Sequence, residues 1–290
     1  MKILLNKSNI NNYAVLMRIN KPIGTLLLLW PTYWALWVAS SGQPSVLVFI
    51  VFTLGVILMR SAGCVINDYA DRKVDPHVAR TELRPIASGK VAPLEALQLF
   101  CVLGLLSLLL VLLMNPLTIC LSVGGIVLAI IYPYMKRYTH LPQLFLGAAF
   151  GWAIPMVYAA QTNSVPAMAW LLFTAAIIWA VVYDTMYAMV DRDDDLKIGV
   201  KSTAILFADL DKAFIGFFQV LLLIALLMVG DKAELSVFYF TGVFIAGLLM
   251  VYHQYLIKDR IPAKCFAAFL HNNWLGFIVF AGLALDYLFK

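Results

Sequence analysis

Two acidic clusters carry a spacing suited to metal-assisted phosphate chemistry. The first is Asn67-Asp68-Tyr69-Ala70-Asp71-Arg72-Lys73-Val74-Asp75. On a helix, Asn67, Asp71 and Asp75 recur at i, i+4 and i+8 and form one oxygen-bearing stripe. The second runs from Asp184 through Tyr187 to Asp191 and Asp195, and its three aspartates at i, i+7 and i+11 again share a face. Like charges four residues apart destabilise a bare helix by about 0.2–0.5 kcal/mol per pair. Two such stripes therefore predict a cation or basic group in the space between them. Mg²⁺ prefers oxygen ligands and usually bridges a few carboxylates to substrate phosphates. Held between opposed aspartates, it would clamp a diphosphate and stabilise it as a leaving group. The bland alternative is a solvated acidic loop balanced by Arg72, Lys73, Arg192 and Lys197. Recurrence of the spacing on two helices beside long apolar runs argues against it.

Basic residues follow both stripes. Arg80 and Arg84 follow the first, Lys136 and Arg137 close another apolar run, and Lys197 and Lys201 follow the second. All suit a diphosphate, Arg as a bidentate fork and Lys as a point charge, and each also reads as a topological anchor. Arg60 is different, because it lies seven residues before Asn67 on the same helix face but deeper. A cation inside a membrane span costs about 2.5–3.5 kcal/mol on insertion scales, so an anionic substrate group is its expected partner.

These residues need elements that hold them. Of 290 residues, 63% are hydrophobic and only 13% charged, with a mean hydropathy of +0.89. Soluble domains carry about 25% charged residues, so this chain is too apolar for a water-facing surface or for disorder. The fold class expected is an all-α polytopic membrane protein, in one domain over 1–290. Nine runs reach the roughly 20 residues needed to cross a bilayer: 23–40, 46–66, 94–113, 117–134, 141–161, 167–188, 213–230, 235–256 and 265–288. Residues 12–22 suit an amphipathic interfacial helix, and the N-terminal apolar stretch is too short for a cleavable signal. Cys64, Cys101, Cys120 and Cys265 have no CxxC spacing, which argues against zinc and disulfides.

With nine spans, one face carries 19 of the 21 Lys and Arg, leaving only Lys232 and Lys290 on the other. The positive-inside rule makes the basic face, with the N-terminus, cytoplasmic. The same face holds 13 of the 16 acids, an asymmetry that orientation alone does not require. The net charge of +5 therefore reads as topology, with no nucleic-acid partner and no obligate protein partner expected. The acidic loops, about 67–93 and 189–212, each follow an even-numbered span, which suggests a weak duplication of spans 1–4 and 5–8. His253, His271, Asn272 and Asn273 fit interhelical hydrogen bonding, and Asp286 with Lys290 fits a terminal surface pair.

In combination these motifs resemble the UbiA superfamily of intramembrane prenyltransferases. The N-D-x-x-D-x-x-x-D pattern stands at Asn67 to Asp75, D-x-x-x-D at Asp191 to Asp195, and Y-x-x-x-K at Tyr132 to Lys136. Arg18-Ile-Asn-Lys21-Pro-Ile-Gly24, running to Trp30-Pro31-Thr32, is similar to the branch acting on 4-hydroxybenzoate, as is Tyr183-Asp184-Thr-Met-Tyr187 continuing to Lys201-Ser-Thr. The resemblance implies nine helices in a bundle around a central cavity, with a cytoplasmic cap over the active site, in a bacterial inner membrane. It implies Mg²⁺ as cofactor, with Asn67, Asp71 and Asp191 as core metal and diphosphate ligands and Asp68, Asp75 and Asp195 supporting. Asp71, Asp75, Asp191 and Asp195 would be the catalytic carboxylates. Diphosphate contacts would come from Arg18, Lys21, Arg72, Arg80, Arg84, Tyr132, Lys136, Lys197 and Lys201. Arg60 or Arg137 would hold the carboxylate of the aromatic acid, beside Tyr183, Asp184 and Tyr187. The implied substrates are a polyprenyl diphosphate and 4-hydroxybenzoate, met in membrane lipid, and the product a 3-polyprenyl-4-hydroxybenzoate for ubiquinone synthesis.

Other readings fare less well. The CDP-alcohol phosphotransferase pattern fails at Pro76 and Pro93, which stand where it needs Gly and Asp. A homogentisate or naphthoate acceptor is the nearer alternative. A transporter would place its acids near the bilayer midplane, whereas these lie at helix ends.

Overall fold

The computed structural model describes residues 5–78 and 81–290; Arg80 lies outside the described residues. A short helix α1 (Ile10–Leu16) precedes α2 (Ile23–Ala39), α3 (Val46–Asp71), α4 (Pro93–Val111) and α5 (Pro116–Met135). Then come α6 (Pro142–Gly151), α7 (Ala153–Thr162), α8 (Ala167–Ile198) and the five-residue α9 (Thr203–Phe207). The chain ends with α10 (Asp211–Lys232), α11 (Val237–Ile257) and α12 (Pro262–Phe289). Among the described residues, eight helical stretches are long and apolar enough to cross a membrane, with α6 and α7 together forming one of them. The shorter α2, with 17 residues, occupies the place of the first expected span. The protein is a multi-pass, all-helical membrane protein.

Local chemistry explains the helix ends. Asn115 caps α5 by accepting the Thr118 N–H at 2.9 Å, and Pro116 fills the first helical position, where no N–H is needed. Pro142 and Pro262 begin α6 and α12 in the same way. The break between α6 and α7 falls at Trp152 because Pro155 has no N–H for the Gly151 carbonyl one turn back. Gly199 ends α8 in the left-handed conformation (φ 72°), its N–H returning to the Asp195 carbonyl.

Two helices overrun the expected spans. α3 continues to Asp71 rather than 66, and α8 to Ile198 rather than 188. The second acidic motif thus lies wholly on a rigid helical extension, whereas the first leaves its helix after Asp71: Asp75 stands in a separate 3-10 turn, Asp75–His77, and does not continue the helical stripe expected of Asn67 and Asp71.

The core is sealed by aromatics with satisfied polar tips. Trp34 stacks on Trp179 at 5.3 Å and donates to the Gly276 carbonyl at 3.1 Å. Trp179 and Trp30 donate to Asn272 and Asn273 at 3.0 and 2.8 Å, and His253 meets His271 at 3.0 Å. The interhelical role expected of these four residues is therefore what the structure shows, as lipid cannot satisfy such groups. A Cβ at Gly276 would fall 2.4 Å from Trp179 and 2.6 Å from Trp30, so only glycine lets α12 approach both indoles. Apolar side chains such as Leu105, Leu109, Phe217, Val220, Phe244 and Val251 remain on the outer surface, the face that lipid covers.

Asp286 corrects one expectation. It is only 1% exposed, and its carboxylate accepts from the Ser236 N–H, the Ser236 hydroxyl and the Tyr239 N–H at 2.9–3.1 Å. It caps α11 from the neighbouring helix α12. Lys290 donates instead to the Glu234 carbonyl.

Candidate active site

The ends of α3, α5 and α8 converge on one cavity of about 440 Å³. Asp71, Arg72, Lys73, Lys136, Arg137 and the backbone at Gly199 are among its walls. A main-chain bond from the Lys201 N–H to the Lys136 carbonyl at 3.0 Å ties the turn after α8 to the end of α5. The turn that follows the second acidic helix is thereby brought to the cavity that the end of the first one lines. Asp184 and Asp191 lie close enough on α8 to interact, and Asp184 also feels Lys136 and Arg60.

Asp71 is the pivot of the first motif. It is buried, one oxygen receives Lys136 Nζ at 2.5 Å, and Arg137 stands 3.9 Å from the other. That second oxygen, Oδ1, has no hydrogen-bond partner. A buried anionic oxygen without a donor is costly unless a cation or substrate group completes it. The Asn67 amide reaches Asp71 at 3.5 Å. The donor set is carboxylate and amide oxygen, the kind that hard divalent cations take.

Among the described residues no three of His, Cys, Asp and Glu converge on one point. This is compatible with Mg²⁺, which binds through one or two carboxylates and leaves other positions to water and phosphate.

A second knot lies beside this cavity. Asp68, 1% exposed, receives Arg18 Nη2 on both oxygens at 2.9 Å and Arg84 Nη1 at 3.1 Å. Arg84 also donates to both Asp75 oxygens at 3.2 and 3.0 Å. Desolvation pushes the Asp75 carboxyl above its ordinary range; Arg84 opposes this, while Asp71 and Asp68 reinforce it. Its charge stays disfavoured even with a guanidinium in contact, a condition a divalent cation relieves. Two arginines expected on diphosphate and two aspartates expected on metal are thus cross-braced with one another. Chain separation hides this pairing from the sequence, since Arg18 and Asp68 are 50 residues apart.

Deeper in the bundle, Arg60 is half-buried and donates to the Gly24 carbonyl at 3.3 Å. Its guanidinium stands 5.7 Å from the centre of the Phe150 ring, contacts Cys64 Sγ, and lies near the hydroxyls of Tyr132, Tyr183 and Tyr187. It forms no ion pair with any described carboxylate. Tyr132 donates to the Gly63 carbonyl at 3.1 Å. Tyr183 packs edge-on to Trp179, and Tyr187 packs on Phe269 at 4.9 Å.

Of the remaining expected residues, Arg72 lines the cavity and the others are not among its walls. Arg72 donates to the Tyr69 carbonyl and lies over its ring at 4.2 Å, Lys197 pairs with Asp194 at 3.1 Å, and Lys201 Nζ reaches the Tyr138 carbonyl. Lys21 is exposed. Asp191 and Asp195, partly exposed on the last turns of α8, have interactions of their own.

Sequence reasoning gave no role to Phe150, Cys64 or the buried Gln143, whose carbonyl oxygen has no partner. Their neighbours in space, not in the chain, mark them out. Gly24 was visible in the Arg18–Gly24 stretch, but without a reason for being glycine.

Comparison with known proteins bears on the family and the fold. Residues 28–280 match the UbiA prenyltransferase family. A relative from Marinobacter nauticus named 4-hydroxybenzoate octaprenyltransferase is 60% identical over 96% of this chain and 95% of its own length. One of the same name from Aeromonas hydrophila is 57% identical over 98% and 99%. In fold, the chain is similar to the apo structure of a UbiA homolog from Aeropyrum pernix K1, with a TM-score of 0.80 at 23% identity, covering 90% of this chain and 97% of that one. A UbiA homolog from Archaeoglobus fulgidus bound to GPP and Mg²⁺ matches with a TM-score of 0.74 at 18% identity, covering 96% and 100%.

Proposed function

The chain belongs to the UbiA prenyltransferase family, and we propose that its cavity joins a polyprenyl diphosphate to 4-hydroxybenzoate at the ring carbon ortho to the phenol. The product is a 3-polyprenyl-4-hydroxybenzoate, an intermediate of ubiquinone synthesis. The relatives at 57–60% identity carry that activity in their names. The observation that carries the site assignment is Asp71, with one oxygen held by Lys136 and the other buried without a donor at a basic cavity.

Asn67, Asp71, Asp191 and Asp195 are the residues that would hold Mg²⁺, with Asp68 and Asp75 behind them. When bound, Mg²⁺ supplies charge neutralisation that makes diphosphate a better leaving group. Lys136, Arg137 and Arg72 bind the diphosphate oxygens as negative charge gathers there. Lys73, Gly199 and Val200 complete the lining of the cavity. Arg84 and Arg18 neutralise Asp68 and Asp75 and fix them beside the cavity.

The allylic chain leaves its diphosphate with positive charge on carbon, which the faces of Tyr183 and Tyr187 stabilise and shield from water. The electron-rich ring carbon ortho to the phenol attacks that carbon. Asp191, beside Asp184, takes the displaced ring proton. For the substrate carboxylate, Arg60 is the better placed of the two candidates. Arg137 lines the diphosphate cavity beside Asp71 and serves the diphosphate, whereas Arg60 is a half-buried cation outside that cavity with no ion-pair partner among the described carboxylates. The charge distribution supports a cytoplasmic side for the basic face and its cavity, and the family resemblance a bacterial inner membrane.

The test uses membranes containing the protein, labelled 4-hydroxybenzoate and a polyprenyl diphosphate, with and without EDTA. Label passing into lipid extract, lost with EDTA and restored by Mg²⁺, is the expected outcome. Transfer only to another aromatic acid would change the acceptor, and silence with every aromatic would overturn the reading.

A further inference from the structure

Gly24 sits in the first turn of α2 with ordinary helical backbone angles. Glycine has no conformational advantage there, and alanine is the better helix former, so something outside the helix must exclude a side chain. That neighbour is Arg60: a Cβ at residue 24 would lie 2.7 Å from Nη2, 3.1 Å from Nε and 3.3 Å from Cζ. The Gly24 carbonyl also accepts Arg60 Nε–H at 3.3 Å. The atoms met are the far end of a flexible side chain, so Arg60 yields by moving, and moving away from residue 24 breaks its bond to the Gly24 carbonyl and shifts it relative to Phe150 and Cys64.

We propose that Gly24 is a positioning residue for Arg60 and thereby a determinant of selectivity for acceptors that carry a carboxylate. Its missing side chain makes room for Nη2, and its carbonyl fixes the direction of the fork. The inference rests on the reading of Arg60 as the site of the substrate carboxylate. A bidentate contact tolerates little misplacement, so a methyl group at residue 24 acts on acid binding first and leaves the diphosphate cavity alone.

A cycle of Gly24→Ala, Arg60→Lys and the double variant tests this, with KM and kcat measured for 4-hydroxybenzoate, for its methyl ester and for polyprenyl diphosphate. Gly24→Ala should raise KM for the acid by about tenfold, the scale of a displaced charge-assisted contact. It should leave KM for the diphosphate and kcat/KM for the ester near wild type. Lysine lacks Nη2, the atom nearest the added methyl, so Gly24→Ala should add nothing in the Arg60→Lys background. An unchanged KM for the acid in Gly24→Ala, with a raised one in Arg60→Lys, would overturn the role of Gly24 alone. If Arg60→Lys binds the acid normally, the carboxylate reading falls and this inference with it. Additive losses, or a Gly24→Ala protein whose monodisperse yield in detergent Arg60→Lys does not rescue, would mean a purely structural glycine and overturn the proposal.

Discussion

Asp71 and Asp68 are three residues apart, equally buried, and differently employed. Asp71 keeps one oxygen without a donor, while Asp68 has both oxygens engaged by arginine. Asp71→Asn should lower kcat by on the order of 10²–10³, the usual cost of removing a group that stabilises transition-state charge, with membrane insertion intact. The same substitution at Asp191 should behave alike, and normal turnover in both variants would remove the metal-clamp assignment. Asp68→Asn leaves Arg18 and Arg84 with a weaker acceptor. A raised KM for polyprenyl diphosphate, with the Mg²⁺ concentration for half-maximal activity unchanged, is the expected outcome. A shift in Mg²⁺ dependence would instead put Asp68 on the metal.

At the level of elements, two buried carboxylates outside the cavity wall anchor helix ends. Asp286 caps α11 from α12, and Asp286→Ala should cost about 0.5–2 kcal/mol, read as a lowered melting temperature in detergent with KM values unchanged. Asp211 opens α10 with no exposed surface and receives Arg260 Nε and Nη2 at 3.0 and 2.8 Å, with Arg192 of α8 at 3.9 Å. Removing one partner of a buried pair costs about 3–5 kcal/mol; Arg260 is part-exposed, so Asp211→Ala should fall at the lower end. Arg192 adjoins Asp191, so activity should fall more steeply on warming than in the wild type. A melting temperature equal to wild type would show that water replaces the pair. The helical continuation of α3 and α8 past the apolar runs belongs to this scale too. It gives both acidic motifs a rigid base, while the residues between α3 and α4 carry Arg84 back over them.

For the whole molecule, the decisive asymmetry is between its two ends. The end bearing the cavity holds nearly all the basic residues, and the other holds Lys232 and Lys290. In a background lacking the four native cysteines, Lys232→Cys and Lys197→Cys should be labelled by an impermeant maleimide from opposite sides of the membrane. In spheroplasts only Lys232→Cys should react; reaction of Lys197→Cys alone would invert the orientation. The apolar outer surface requires lipid or detergent, so stability comparisons belong in one detergent at one concentration.

The sequence alone determined the order of the apolar spans and their approximate number, the charge bias between the two ends, the acidic stripe on α8 and, of the first stripe, the part from Asn67 to Asp71. Each of these is a property of local composition or of spacing along one helix. The interhelical roles of Asn272, Asn273 and the histidines were legible for the same reason, because a polar group in an apolar run must find a partner. Partners distant in the chain were not legible: Arg18 on Asp68, Asp286 on Ser236, Lys136 on Asp71. A surface pair for Asp286 was the natural expectation at a chain end, and packing of α12 on α11 overruled it. Only the tertiary structure separates the aspartate with an open oxygen from the aspartate satisfied by arginine, and gives Gly24 its reason in the guanidinium beside it. Helical periodicity says which side chains share a face, but the groups that face them are set by the packing of other helices.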